Sequence, residues 1–275
     1  MKYAATENKI IIYSKDEFVP EHILECGQIF SYEKIENTYI VYSADKLAKI
    51  TETGQTYEIE TNNVEYFINF FDLNTDYAKL KLDLIKTYPY LKKAIDFGNG
   101  IRILKQDIFE TIISFIISAN NNIKRIKKIL FAIRQKFGTK ILSYYSFPTL
   151  EQLSKGTIDD FKSLGAGYRA KYLVEACKML KNEDLTQYKQ LSTKELNKKL
   201  LSIMGVGQKV SDCIMLFGFS RGDVFPVDTW IEKVYCSYFE DEHDRVKIRK
   251  NLLTTFGANS GYVQQYLFYS QRKNG

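Results

Sequence analysis

The chain has 275 residues, 45% of them apolar, which is enough to bury the core of one large domain or two. Its 39 basic and 33 acidic side chains leave a formal charge of +6, a mildly basic balance that permits a polyanionic partner without requiring one. Cys26, Cys177, Cys213 and Cys236 stand far apart with no C-x-x-C pair, excluding a cysteine-built zinc or iron–sulfur framework and the disulfide pattern of a small secreted domain.

The first sixty residues read as strands: Ile10–Tyr13, Phe30–Glu33, Thr38–Tyr42, Ala48–Thr51 and Tyr57–Glu60, with turns expected at Glu36-Asn37 and Thr53-Gly54. From Asn63 the period becomes helical, through NVEYFINFFDL, YAKLKLDLIKTY and YLKKAIDF, the last closed by Gly98. The Gly98-Asn99-Gly100 turn is the expected domain boundary, giving an α+β chain with an antiparallel sheet domain over 1–99 and a helical domain over 100–275. Beyond that turn only helices are expected. The start shows no basic leader with an apolar core, and no apolar run reaches membrane-spanning length, so a soluble protein of a reducing, intracellular compartment is expected.

Asp107 opens a long apolar helix that breaks at Asn120-Asn121-Asn122 and resumes toward Arg125; three asparagines are poor helix formers and mark a surface turn. Leu164–Lys171 is a second glycine-punctuated helix start, carrying Tyr168 and Arg169. Next comes a helical hairpin over 200–217. Its incoming helix has a capping box, Ser192 with Glu195, and an apolar face of Leu196, Leu200 and Ile203. Gly205-Val206-Gly207 breaks it, and Val210, Cys213, Ile214 and Phe217 form the buried stripe of the outgoing helix. Such a start aims unpaired backbone N–H groups outward, where a phosphate fits.

Lys209 lies in the first turn of that outgoing helix, four residues before Cys213 on the same face. The macrodipole opposes a positive charge there, an environment that favours the neutral, nucleophilic amine able to form a Schiff base. Read alone, G-V-G-x-K describes a solvated lysine beside a turn equally well. The loop over 218–230 returns through Pro226-Val227 to Asp228, which is placed to cap the next helix and whose ionised carboxylate also suits stabilising positive charge on a sugar. The C-terminal stretch GYVQQYLFYSQRK puts Gln264 and Phe268 on one helical face.

L-x-x-M-G-V-G-x-K-V-x-D-C followed by P-V-D resembles the helix-hairpin-helix DNA glycosylases with the glycine/proline-rich loop and aspartate, and within them the 8-oxoguanine DNA glycosylases. The resemblance runs from Cys26-Gly27-Gln28-Ile29-Phe30 through GIRILKQDIFETIISFIISANNNIKRI to Phe268. It implies the sheet domain packed on a helical glycosylase domain, and both base removal and strand cleavage, since relatives without strand cleavage lack the lysine. It makes Lys209 the nucleophile on C1′, with Asp228 in support, and gives Gly205, Gly207 and Val210 to the DNA backbone. The base pocket becomes Gly27, whose carbonyl accepts the N7 hydrogen of 8-oxoguanine, with Cys213, Gln264 and Phe268. Asn120 fills the gap left by the extruded base, Tyr168 wedges beside it, and Arg125 and Arg169 read the estranged cytosine. Trp230 stands where many relatives carry a phosphate-contacting histidine, so that contact is lost or replaced. The four-cysteine cluster of the endonuclease III branch is missing. The partner implied is double-stranded DNA containing 8-oxoguanine, bound by a monomer with no cofactor, metal or membrane. The same hairpin would also serve a glycosylase for other oxidised or alkylated bases, or a non-catalytic DNA binder.

Overall fold

In the computed structural model, which describes residues 1–274, six strands form one antiparallel sheet in the order β1-β2-β6-β5-β4-β3. They are β1 (Tyr3–Ala5), β2 (Lys9–Ile12), β3 (Tyr32–Ile35), β4 (Thr38–Ser43), β5 (Lys46–Thr53) and β6 (Thr56–Thr61). Alternation sets the register: Ile59 lies opposite Ile10 on one side and Ile50 on the other, all three buried, so one face of the sheet is a continuous apolar layer. The tight turns fall at Glu36 (φ 52°) and Gly54 (φ 57°), the left-handed conformation a short hairpin needs. β1 was not expected, and β3 begins two residues later than the strand expected from Phe30 and overlaps it at Tyr32 and Glu33.

Fourteen α-helices are present among the described residues, the first of them in a stretch where only strands were expected. α1 (Pro20–Leu24), α2 (Val64–Phe70), α3 (Tyr77–Thr87) and α4 (Lys92–Phe97) belong to the first hundred residues. α5 (Ile108–Ser118) and α6 (Ile123–Phe137) flank the asparagine turn, their starts capped by the side chains of Asp107 and Asn122. Then come α7 (Leu150–Leu153), α8 (Ile158–Ser163), α9 (Arg169–Leu180), α10 (Thr193–Leu201), α11 (Gln208–Gly218), α12 (Thr229–Tyr238), α13 (Arg245–Phe256) and α14 (Ser260–Asn274). The expectation of helices alone after residue 100 needs one correction: β7 (Lys140–Ile141) and β8 (Tyr144–Tyr145) form a small hairpin, closed by Leu142 at φ 48°. Two paired residues per strand are too short a run to show a period.

Three buried clusters hold the chain together. The sheet packs on α1 and α2 through Ile10, Ile50, Phe67 and Phe71. α5, α6 and α8 to α11 share a second core around Ile112, Ile116, Leu130 and Ile214. The third joins Leu84 of α3 and Ile95 of α4 to Ile231, Leu252 and Leu267 of α12 to α14. Helices on either side of the Gly98–Gly100 turn therefore share one core. The turn itself is packed, its Gly100 carbonyl accepting from the Val19 N–H. No helix among the described residues is long and apolar enough to cross a membrane.

Candidate active site

The hairpin forms as its sequence dictates. Ser192 and Glu195 close the capping box on α10, and Leu196, Leu200 and Ile203 are buried beneath it. Gly205 turns at φ +90°, and a side chain there would collide with the Tyr172 ring. Gly207 caps α11 with no side chain to offer, and its Cα faces open space. The first-turn N–H groups of α11 are therefore left without a side-chain cap, at the positive end of an eleven-residue helix.

Lys209 projects from that first turn, half-buried, with its Nζ 5.7 Å from the centre of the Phe115 ring. It lines a cleft of about 350 Å³ together with Asp228, Gly27 and Phe268. The remaining wall comes from Phe30, Phe115 and Ser118, from Asn121 and Asn122 of the asparagine turn, and from Trp230 and Arg272. The second and third cores meet around this hollow, so residues nearly 250 positions apart are neighbours there. Asp228 caps α12, its Oδ1 accepting the Trp230 and Ile231 N–H groups at 3.0 Å each. That fixes one carboxylate oxygen and leaves Oδ2 without a hydrogen-bond partner from those groups.

Gly27 sits at φ +85°, and an added Cβ would lie 3.2 Å from the Phe268 ring, so only glycine lets the backbone approach that ring. Two glutamines pin its loop. Gln28 is fully buried, donating to the Ile23 and Arg102 carbonyls and accepting from the Leu104 N–H, while Gln265 donates to the Cys26 carbonyl. Gln264, the residue before, is 5% exposed, and its Oε1 has no partner among the described residues. A buried amide oxygen left unpaired in the free protein is costly, and an amide-bearing ligand relieves it. Cys213 is 4% exposed beneath Lys209, and burial pushes its thiol up to about 11, with the neighbouring lysine pulling the other way. Neither Gln264 nor Cys213 forms part of the cleft wall as it stands.

Asn120, Arg125, Tyr168 and Arg169 gather at the rim. Asn120 is exposed at φ 49°, and Arg125, also exposed, donates to the Gly165 carbonyl at 3.0 Å. Tyr168 is 53% exposed. Arg169 departs from the expectation of a base reader: it is 3% exposed, and its guanidinium donates to the Ala119 carbonyl through Nε (2.8 Å) and Nη2 (2.6 Å) and to the Asn120 carbonyl through Nη2 (2.6 Å). The helix break strips those two carbonyls of helical N–H partners, and Arg169 supplies the missing donors. Val210 is likewise 6% exposed, so only its backbone N–H is available to a ligand. Phe115, Ser118 and Arg272 line the cleft without having been singled out in sequence, and Phe30, Asn121 and Asn122 were named only as parts of motifs; for most of these positions nothing local distinguishes wall from core.

Comparisons with known proteins place the fold and the family. Residues 10–112 match the model of the 8-oxoguanine DNA glycosylase N-terminal domain, and residues 113–256 match that of the HhH-GPD superfamily base excision DNA repair proteins. The chain is 39% identical to an N-glycosylase/DNA lyase of Saccharomyces cerevisiae over 80% of this chain and 68% of the yeast protein. It is 30% identical to a probable N-glycosylase/DNA lyase of Methanothermobacter thermautotrophicus over 71% of this chain and 73% of the archaeal one. The crystal structure of the Clostridium acetobutylicum 8-oxoguanine glycosylase/lyase, in complex with double-stranded DNA containing cytosine opposite 8-oxoguanine, superposes with a TM-score of 0.93 at 40% identity, over 100% of this chain and 98% of that one. The chain belongs to the 8-oxoguanine DNA glycosylase/lyase family of the HhH-GPD superfamily.

Proposed function

We propose that this chain binds duplex DNA, removes 8-oxoguanine from it and cuts the strand at the resulting site. The damaged nucleotide leaves the stack and enters the cleft, at a cost of a few kcal/mol for unstacking. The hairpin's open amides and Gly207 hold the flanking phosphate. In the cleft the base lies between Phe268 and the Cys213 side, its Watson–Crick edge meeting Gln264 and its N7 hydrogen meeting the Gly27 carbonyl. Asn120 takes the vacated space, with Arg125 and Tyr168 against the opposite strand. Arg169 braces the turn that carries Asn120.

Lys209 attacks C1′; the new C–N bond forms as the glycosidic bond breaks, and the base departs with that electron pair and takes up a proton. Asp228 stabilises the positive charge that develops on the sugar. The sugar ring opens to a Schiff base with Lys209, which acidifies the C2′ hydrogen. Loss of that proton expels the 3′ phosphate by β-elimination, and water then hydrolyses the imine and frees the lysine. All the groups named come from a single chain, which supports action as a monomer. The free thiols Cys26, Cys177, Cys213 and Cys236 suit a reducing, intracellular compartment.

The observation that carries this reading is that Lys209 and Asp228 share one cleft with Gly27 and Phe268. The test is substrate choice: duplexes containing 8-oxoguanine, thymine glycol or an alkylated purine are incubated with the enzyme and the released base is identified. Release of 8-oxoguanine supports the pocket. Release of thymine glycol or the alkylated base without 8-oxoguanine overturns it.

A further inference from the structure

One cluster of reactive side chains stands apart from the cleft. Cys236 lies in the last turns of α12, and Asp241 and His243 lie in the connection to α13. One ligand-type atom from each falls within 4.8 Å of the other two. His243 Nε2 is 3.3 Å from Asp241 Oδ1, while its Nδ1 is 3.1 Å from Glu232 Oε1. Glu232 is in turn held by Arg245 Nε at 2.8 Å. A carboxylate accepting from one ring nitrogen fixes the tautomer and turns the other nitrogen's lone pair toward whatever lies beyond, the arrangement found behind metal-bound histidines.

Around tetrahedral zinc, bonds of about 2.0–2.3 Å place ligand atoms roughly 3.3–3.8 Å apart. The histidine–aspartate pair already has that spacing, and the widest pair in the cluster needs to close by about 1 Å. The surroundings favour a cation. Residues 240–244 read Glu-Asp-Glu-His-Asp, four acids in five, in a chain of net charge +6. Such a segment repels a DNA backbone, so binding of nucleic acid does not account for it.

We propose that Cys236, Asp241 and His243 form a binding site for a divalent cation of the zinc type, with Glu232 as the outer carboxylate and water in the fourth position. One thiolate, one imidazole and one carboxylate select zinc, cadmium or cobalt over magnesium or calcium, which prefer all-oxygen sites. Binding releases the thiol proton and any proton on the ring to solvent. The ion clips the end of α12 to the connection that leads into α13, whose Arg249 reaches back to α11 beside Lys209.

The test uses the untagged full chain, kept reduced and stripped with a chelator, titrated with cobalt and then with zinc in competition. The expected result is one ion per chain with a thiolate-to-cobalt absorption band, lost in Cys236→Ser and in His243→Ala. Glu232→Gln is expected to weaken zinc binding about 10–100-fold, the usual effect of losing an outer-shell partner. His243 is 70% exposed, so its replacement leaves packing intact. As a second readout on the unaltered chain, zinc protects Cys236 from alkylation. A cobalt titration without a sulfur band, or zinc binding unchanged by both substitutions, overturns the proposal.

Discussion

The Arg249 guanidinium grips the carboxylate of Asp212 through two hydrogen bonds, Nε to Oδ2 at 2.5 Å and Nη2 to Oδ1 at 2.7 Å, one helical turn beyond Lys209. Asp212 is fully buried, and Gln208 Nε2 also donates to it at 2.9 Å. This pair joins α13 to α11 on the far side of Lys209, where a second hollow of about 610 Å³ carries Arg245, Arg249 and Lys250.

Breaking that pair is costly. Arg249→Met leaves a buried carboxylate without its counter-charge and is expected to destabilise the fold by about 3–5 kcal/mol. Burial already raises the Asp212 pKa, and Arg249 opposes the rise. A raised carboxyl pKa gives stability that is present below the unfolded value and is lost as pH climbs through the folded one. The deficit of Arg249→Met relative to wild type is therefore expected to be smaller at about pH 5 than at about pH 8. Denaturant melts at the two pH values check it.

Asp228 combines a structural and a chemical task, and two substitutions separate them. Asparagine caps a helix as well as aspartate does, so Asp228→Asn is expected to keep the α12 cap and the melting temperature while excision slows at least about 100-fold. Asp228→Ala loses both, adding about 1 kcal/mol of instability. Single-turnover rates alongside thermal melts distinguish the outcomes.

Gln264 carries the opposite balance. Its buried Oε1 is unpaired, so Gln264→Leu removes an unsatisfied group and is expected to leave the free protein as stable as wild type or up to about 1 kcal/mol more so. Excision of 8-oxoguanine is expected to fall, because the base's polar edge then meets an apolar wall. A variant that is both less stable and fully active contradicts the role given to this residue.

Cys213 tests the electrostatics beside Lys209. With its thiol raised to about 11, only about one molecule in 1,000 carries a thiolate at pH 8. Iodoacetamide on the native enzyme is expected to spare Cys213 and to reach half-exposed Cys236 first, with the order read by peptide mass spectrometry.

The elements that sequence reveals here are those decided locally. Ser192 with Glu195, Asp107 with Glu110, and the stripe from Val210 to Phe217 are short-range patterns, and each forms as its spacing dictates. The cleft is different. Gly27, Lys209, Asp228 and Phe268 were legible through motif resemblance, but Phe115, Ser118 and Arg272 are brought to its wall only by helix packing. Gln28 sits inside the motif that marks Gly27, yet its task is to hold the loop against residues 102–104, a contact no local pattern encodes. Arg169 shows the limit most clearly. The family resemblance made it a reader of the estranged cytosine, and the carbonyls left open by a helix break fifty residues earlier draw it inward. β1 and the β7–β8 hairpin were missed because three or two residues carry no period, and only the pairing across a short turn makes them strands.

The central claim is a covalent bond between Lys209 and C1′ of the damaged nucleotide. Borohydride added during reaction with an 8-oxoguanine duplex, followed by protease digestion and mass spectrometry, should yield one reduced adduct, on the Lys209 peptide, and none from Lys209→Gln. An adduct mapped to another lysine, or one formed undiminished by Lys209→Gln, contradicts the account.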